Sequence, residues 1–293
     1  FKTPITDRVF AGVYMTGILP IIQYDTQSAL NNFEELTMIS PGALGGYFGF
    51  TEDEVQVLCA KYDMDIDTVR MWYDGYQIGT IKGVYNPYSV MSAIRKHSIE
   101  SYWTTTGAYE SLLKYITLDF DGLKGSIVEL LSDNDVPVNV LRFSNDIHCI
   151  QSRDDALTTL VHLGYLSYDN NTQTCRIPNY EVQQEFQRTI GDTNWKYLAT
   201  TIQNSEQLLQ ATLAGNERAV EEAVDFVHQD NTSILQFNDE NSLACVLSLA
   251  YIAAHKDYVF VRELPAGKGF ADIVLIPRSN VSSPAIVLEL KCN

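Results

Sequence analysis

Near its C-terminal end the chain carries two strand-like apolar runs with charges where apolar side chains would be expected. Asp272 interrupts Phe270-Ala271-Asp272-Ile273-Val274-Leu275-Ile276, and Glu289 and Lys291 close Ala285-Ile286-Val287-Leu288-Glu289-Leu290-Lys291. Side chains two apart in a strand share one face, so Glu289 and Lys291 project together. An antiparallel neighbour can bring Asp272 beside them. Tyr258 to Glu263 supplies a third strand pattern, and the apolar helix pattern Asn241 to His255 precedes all three. A helix followed by a three-stranded meander predicts an α/β domain beginning near residue 235.

Two carboxylates and a lysine on one sheet face suit metal-assisted phosphodiester hydrolysis. Carboxylates hold Mg²⁺ or Mn²⁺, hard cations that prefer oxygen ligands. The metal polarises the phosphate and lowers the pKa of a bound water, and a lysine orients that water or steadies charge developing on phosphorus. The Leu290 carbonyl is a further candidate ligand. The plainer alternative is a surface hairpin with an ordinary Glu–Lys pair, because E-x-K alone occurs by chance. The helix, the Gly267-Lys268-Gly269 turn, Asp272 and the strand-borne E-L-K together are more specific.

Upstream, Val9 to Ile22 is apolar and rich in β-branched and aromatic residues, which predicts a buried strand ending at Thr16-Gly17. Thr51-Glu52-Asp53-Glu54 is a capping box opening a helix to about Lys61, with a second from about Ile66 to Trp72. An aromatic, turn-rich stretch follows: Trp72 to Tyr76, Tyr85 to Ser89 with Pro87 starting a helix to about His97, and Tyr102 to Gly107. Aromatics beside Gly and Asn usually pack against tight turns; a base-stacking surface is the other reading. Asp154 to Leu163 predicts a helix closed by Gly164, then a hairpin of Tyr165–Tyr168 and Cys175–Pro178. That is the outline of a winged helix, with Arg153 and Arg176 among its few basic residues, so packing is favoured over a DNA contact. Helices dominate from Glu181 to His228.

Composition narrows the choice of function. The net charge of −17 opposes strong sequence-independent binding to a phosphate backbone, which Lys and Arg drive. Five scattered cysteines without a C-x-x-C pair fit free thiols in a reducing cytoplasm. No clustered Cys and His suggest zinc. No apolar stretch reaches the ~18 residues of a membrane span, and no basic-then-apolar leader is present. The chain opens on Phe1 and stops at Asn293 directly after a strand pattern, so further sequence is expected on both sides.

The C-terminal stretch resembles the PD-(D/E)XK nuclease superfamily. That resemblance implies metal binding by Asp272 and Glu289, a catalytic Lys291 and a helper glutamate, with Glu240 the better candidate and Glu263 the weaker. The upstream part resembles a family, common in bacteria, in which an AAA-ATPase-like domain precedes this nuclease domain. The matching pieces are Met15 to Pro20, Asn31-Asn32, Gly49 to Glu52, the W-Y-D-G-Y, Y-N-P-Y-S and Y-W-x-x-T-G segments, Leu163 to Leu166, and Ile177 to Val182. On that resemblance Thr16 ends the strand carrying the nucleotide-sensing polar residue. No G-x-x-x-x-G-K-[ST] phosphate loop occurs in residues 1–293, so ATP binding is expected of a longer protein and not of this stretch.

The expectation is therefore a multidomain α/β protein with three consecutive parts. They are the C-terminal portion of a P-loop ATPase-like domain (1–145), a winged-helix and helical region (146–234), and an incomplete restriction-endonuclease-like domain (235–293). The function expected is Mg²⁺- or Mn²⁺-dependent hydrolysis of DNA or RNA, coupled to the ATPase-like module. The alternative is an ATP-dependent regulatory protein whose nuclease-like domain binds without cutting.

Overall fold

The computed structural model describes residues 12–17, 34–103, 108–118, 120–143, 150–193, 195–235, 240–267, 269–278 and 282–290. For residues 108–109, 111, 142, 197, 228–235 and 240–242 the backbone alone is described. The fold is mixed α/β with small antiparallel sheets. Contacts gather into two compact units: Phe1–Ser98 with Pro137–Pro178, and Ile99–Val136 with Asn179–Asn293. These interleave along the chain, unlike the consecutive parts 1–145, 146–234 and 235–293 expected from the sequence.

In the first unit, local capping sets the helices. The Thr51 amide donates to Glu54 Oε2 at 2.8 Å, and α1 runs Glu52–Tyr62. Asp65 Oδ2 accepts the Thr68 amide at 3.0 Å to open α2 (Ile66–Tyr73). Asn86 Oδ1 accepts the Tyr88 amide at 2.9 Å to open α3 (Pro87–Lys96), where proline lacks only a donor that the first turn would leave unused. Strands β1 (Phe50–Thr51), β2 (Tyr76–Ile78) and β3 (Ile81–Tyr85) form an antiparallel sheet in the order β1-β3-β2. The chain re-enters this unit through β4 (Val136–Pro137).

The expected helix and hairpin are present: α6 (Arg153–His162), then the hairpin β5 (Ser167–Asp169) and β6 (Thr174–Arg176). Its hairpin packs beside the aromatic segment. Tyr76 Oη donates to the Gly164 carbonyl at 2.7 Å, and the Gln77 amide donates to Ser167 Oγ at 2.8 Å. Gly75 (φ 109°) makes the approach possible, since a Cβ there would lie 1.8 Å from the Pro178 carbonyl oxygen. Tyr73, Tyr76 and Tyr85 are buried, which makes this stretch a core and leaves Tyr88 as its exposed member.

One expectation fails here. Residues 12–17, including Thr16, are exposed and lie in no strand. An apolar run becomes a buried strand only with partners to complete its ladder, and none flanks these six among the described residues. Residues 9–11 and 18–22 of that run lie outside the described residues, as do Asn31-Asn32.

The second unit is helical before it is a sheet. It contains α4 (Ala108–Ile116), α5 (Leu123–Leu131), α7 (Tyr180–Gly191), α8 (Lys196–Leu213), α9 (Glu217–Leu235) and α10 (Glu240–Ala250). Gly215 in a left-handed conformation (φ 66°) separates α8 from α9. After α10 the chain tightens into a 3₁₀ turn, Ile252–Lys256, and enters the meander β7 (Tyr258–Ala266), β8 (Gly269–Pro277) and β9 (Ile286–Leu288). Strand alternation separates the two faces of this sheet. Ala271, Ile273 and Leu275 face inward at 5%, 0% and 0% exposure, whereas on the other face Val259, Phe270, Ile276 and Val287 are exposed and Val274 is buried. Among the described residues no helix is long and apolar enough to cross a membrane.

Candidate active site

The register of the meander determines which residues meet. Ile273 pairs with Leu288, Val274 with Val287 and Leu275 with Ile286. Continued one step past the end of β9, the same register runs Asp272 toward Glu289. The backbone ladder stops at Leu288, and there the Leu290 amide donates to Asp272 Oδ2 at 2.6 Å. A carboxylate accepting a backbone N–H forms one of the stronger protein hydrogen bonds. It ties the end of the last strand to β8 and leaves the second oxygen of Asp272 for another partner.

Glu263 lies on the other side of Asp272. Arg262 pairs with Ile273 and Leu264 with Ala271, so the step between them sets Glu263 across from Asp272. Its backbone is left-handed (φ 50°), which a non-glycine residue in a strand rarely adopts. By continued register Glu263, Asp272 and Glu289 follow one row, with Glu289 one residue past the end of β9; Asp272 is half-buried and the two glutamates are exposed.

Other expected site residues are placed only in part. Glu240 is the first residue of α10, in the same compact unit as Asp272, but its side chain lies outside the described residues. Lys291 lies outside them altogether. Thr16 belongs to the other unit. Among the described residues no group of three or more His, Cys, Asp or Glu side chains is gathered closely enough to hold a metal ion. The donor set itself fits Mg²⁺ or Mn²⁺ in kind, since Asp272 in β8 and Glu289 and the Leu290 carbonyl just past β9 are hard oxygen donors.

Behind the row runs a polar chain that the sequence did not announce. Arg262 Nη1 donates to Asn134 Oδ1 at 2.5 Å, and Asn134 Nδ2 donates to Cys245 Sγ at 2.9 Å. Ser132 Oγ reaches the Cys245 carbonyl at 3.0 Å. Burial pushes the Cys245 thiol up, with the Arg262 guanidinium opposing. Asn134 is 128 residues from Arg262 and 111 from Cys245, separations at which no local pattern exists to be read. Nearby, His255 stacks on Phe260 with ring centroids 4.0 Å apart, and burial lowers its imidazole to about 3.

No protein-family model, curated protein or solved structure matches this chain.

Proposed function

We propose that the second unit carries a Mg²⁺- or Mn²⁺-dependent site for phosphodiester hydrolysis of DNA or RNA, of the PD-(D/E)XK type. The observation that supports it most is the register running Asp272 toward Glu289, with the Leu290 amide clamped by Asp272 at 2.6 Å. Asp272 and Glu289 would hold the cation, which supplies Lewis acidity and an activated water. Glu240 would be the helper carboxylate, and Lys291 the catalytic lysine that orients the water or steadies charge developing on phosphorus. In this reading the chain belongs to a longer cytoplasmic protein in which a P-loop ATPase-like domain, its C-terminal part spanning residues 1–145 and including Thr16, precedes a winged-helix region and an endonuclease-like α/β domain. ATP belongs to that longer protein.

The net charge of −17 and the exposed apolar side chains Val259, Phe270, Ile276 and Val287 favour a second reading, a non-cutting interaction module. Mn²⁺ titration and cleavage of labelled DNA and RNA separate the two. Metal-dependent cleavage abolished by Asp272→Asn and by Lys291→Ala supports the nuclease. Intact protein that cuts neither nucleic acid with either metal supports the interaction module.

A further inference from the structure

We infer that Asn134 is a positioning residue for this site: it holds the strand beside Asp272 and the helix beginning at Glu240 in one fixed relation. The inference rests on the nuclease-type reading of the site. Arginine has donors alone, so the Asn134 amide must turn its oxygen to Arg262 and its NH₂ group to Cys245. The orientation of one side chain is thereby fixed at both ends, at 2.5 Å and 2.9 Å.

Each end leads to a proposed site residue. Arg262 pairs with Ile273, the neighbour of Asp272, and precedes Glu263 in β7. Cys245 lies five residues after Glu240, about one and a half helical turns along α10. Asn134 itself follows α5 on a backbone held by its own amide, which donates to the Glu129 carbonyl at 3.1 Å. The anchor is therefore a capped helix end, and Ser132 adds a second tie to α10. Cation ligands on different elements bind tightly only when their separation is set beforehand, and residues supporting the ligands usually supply that constraint.

The test is Mn²⁺ titration of the whole chain by calorimetry, with far-ultraviolet circular dichroism as the check on folding. Wild type is compared with Asp272→Asn, Asn134→Ala and Asn134→Asp. Asn134→Ala should weaken Mn²⁺ binding by roughly tenfold, the low end of what supporting residues contribute. Asn134→Asp keeps an acceptor for Arg262 and offers its other oxygen to the Cys245 S–H, so both ends of the link survive and most of the affinity should return, a rescue that a general loss of packing would not produce. Should Asn134→Ala not fold, Cys245→Ala severs the helix end by removing one sulfur and should weaken binding in the same direction. Wild-type affinity in the folded Asn134→Ala or Cys245→Ala protein would overturn the positioning role while leaving the metal site standing. Wild type that binds Mn²⁺ no better than Asp272→Asn would overturn the metal site, and the positioning role with it.

Discussion

Asp272 and Leu290 are joined side chain to backbone, carboxylate to amide at 2.6 Å, where the ladder between β8 and β9 ends. One residue thus closes the strand edge and, in the proposed site, would also offer an oxygen to a cation. Substitution can separate the two roles. Asp272→Ala removes the acceptor and should free the Leu290 amide, at a local cost of about 1.5–3 kcal/mol. Hydrogen exchange at Leu290 should accelerate by roughly tenfold or more. Asp272→Asn keeps an oxygen acceptor and should slow that exchange again while still losing Mn²⁺. Equal exchange in the two variants would mean the carboxylate does not hold the strand end.

His255 makes the second unit sensitive to acid. Its imidazole is lowered to about 3 from 6.5, first by burial and then by the Arg278 guanidinium. Between those values the unfolded chain binds the proton and the folded protein does not. Stability is therefore full above pH 6.5 and falls as the pH drops toward 3, by up to about 1.4 kcal/mol per pH unit from this group. His255→Phe retains an aromatic ring over Phe260 and should flatten that slope, read from hydrogen exchange of the β7–β8 amides. His162, lowered by burial to about 4 in the other unit, should keep its own slope and serves as the reference.

Gly75 has no room for a methyl group. With φ at 109° and the Pro178 carbonyl 1.8 Å from a built Cβ, Gly75→Ala is both strained and clashing. The first unit should lose about 4 kcal/mol or more, in the range of the most damaging substitutions. A thermal midpoint within a few degrees of wild type would show that the contact yields.

Glu52 accepts from Arg70 at 2.5 Å, from Gln56 at 2.8 Å and from the Tyr85 hydroxyl. The Arg70 hydrogen bond, opposed by partial burial, holds its carboxyl at about 2, below the usual 4.5. The side chains of Arg70 and Glu52 are 40% and 30% exposed, so solvent screening reduces the benefit. Glu52→Gln should cost about 1 kcal/mol at neutral pH. The difference from wild type should shrink as pH falls from 4.5 toward 2, where the native carboxylate is itself protonated. Denaturant midpoints at pH 7 and pH 3 measure it, and a gap that widens on acidification would contradict the assignment.

Local chemistry was the readable part of this chain. Thr51 with Glu54, Asn86 with Pro87, and Gly164 after an amphipathic run each act within four residues, and each element appears within a residue or two of its expected bounds. The alternation around Asp272 and Glu289 was readable too, because a period of two survives whichever partner a strand takes. The Asn134 chain left no trace, since Asn134 lies 128 residues from Arg262 and 111 from Cys245. Glu263 gave no warning of its left-handed backbone, for glutamate is not a residue that favours it. Val13 to Gly17 misled, because apolar composition states what could be buried and not whether a partner arrives.

The interleaving of the two units bears on synthesis. The first is complete only when Pro178 has emerged from the ribosome, and by then residues 99–136 have also been made. Those residues include α4 and α5, whose Leu112, Ile116, Leu123 and Ile127 are fully covered in the finished fold. Their partners, α7 and α10, follow later in the chain. Until then the apolar faces of α4 and α5 lack the helices that cover them in the finished fold. Trimming from one end therefore yields neither unit cleanly.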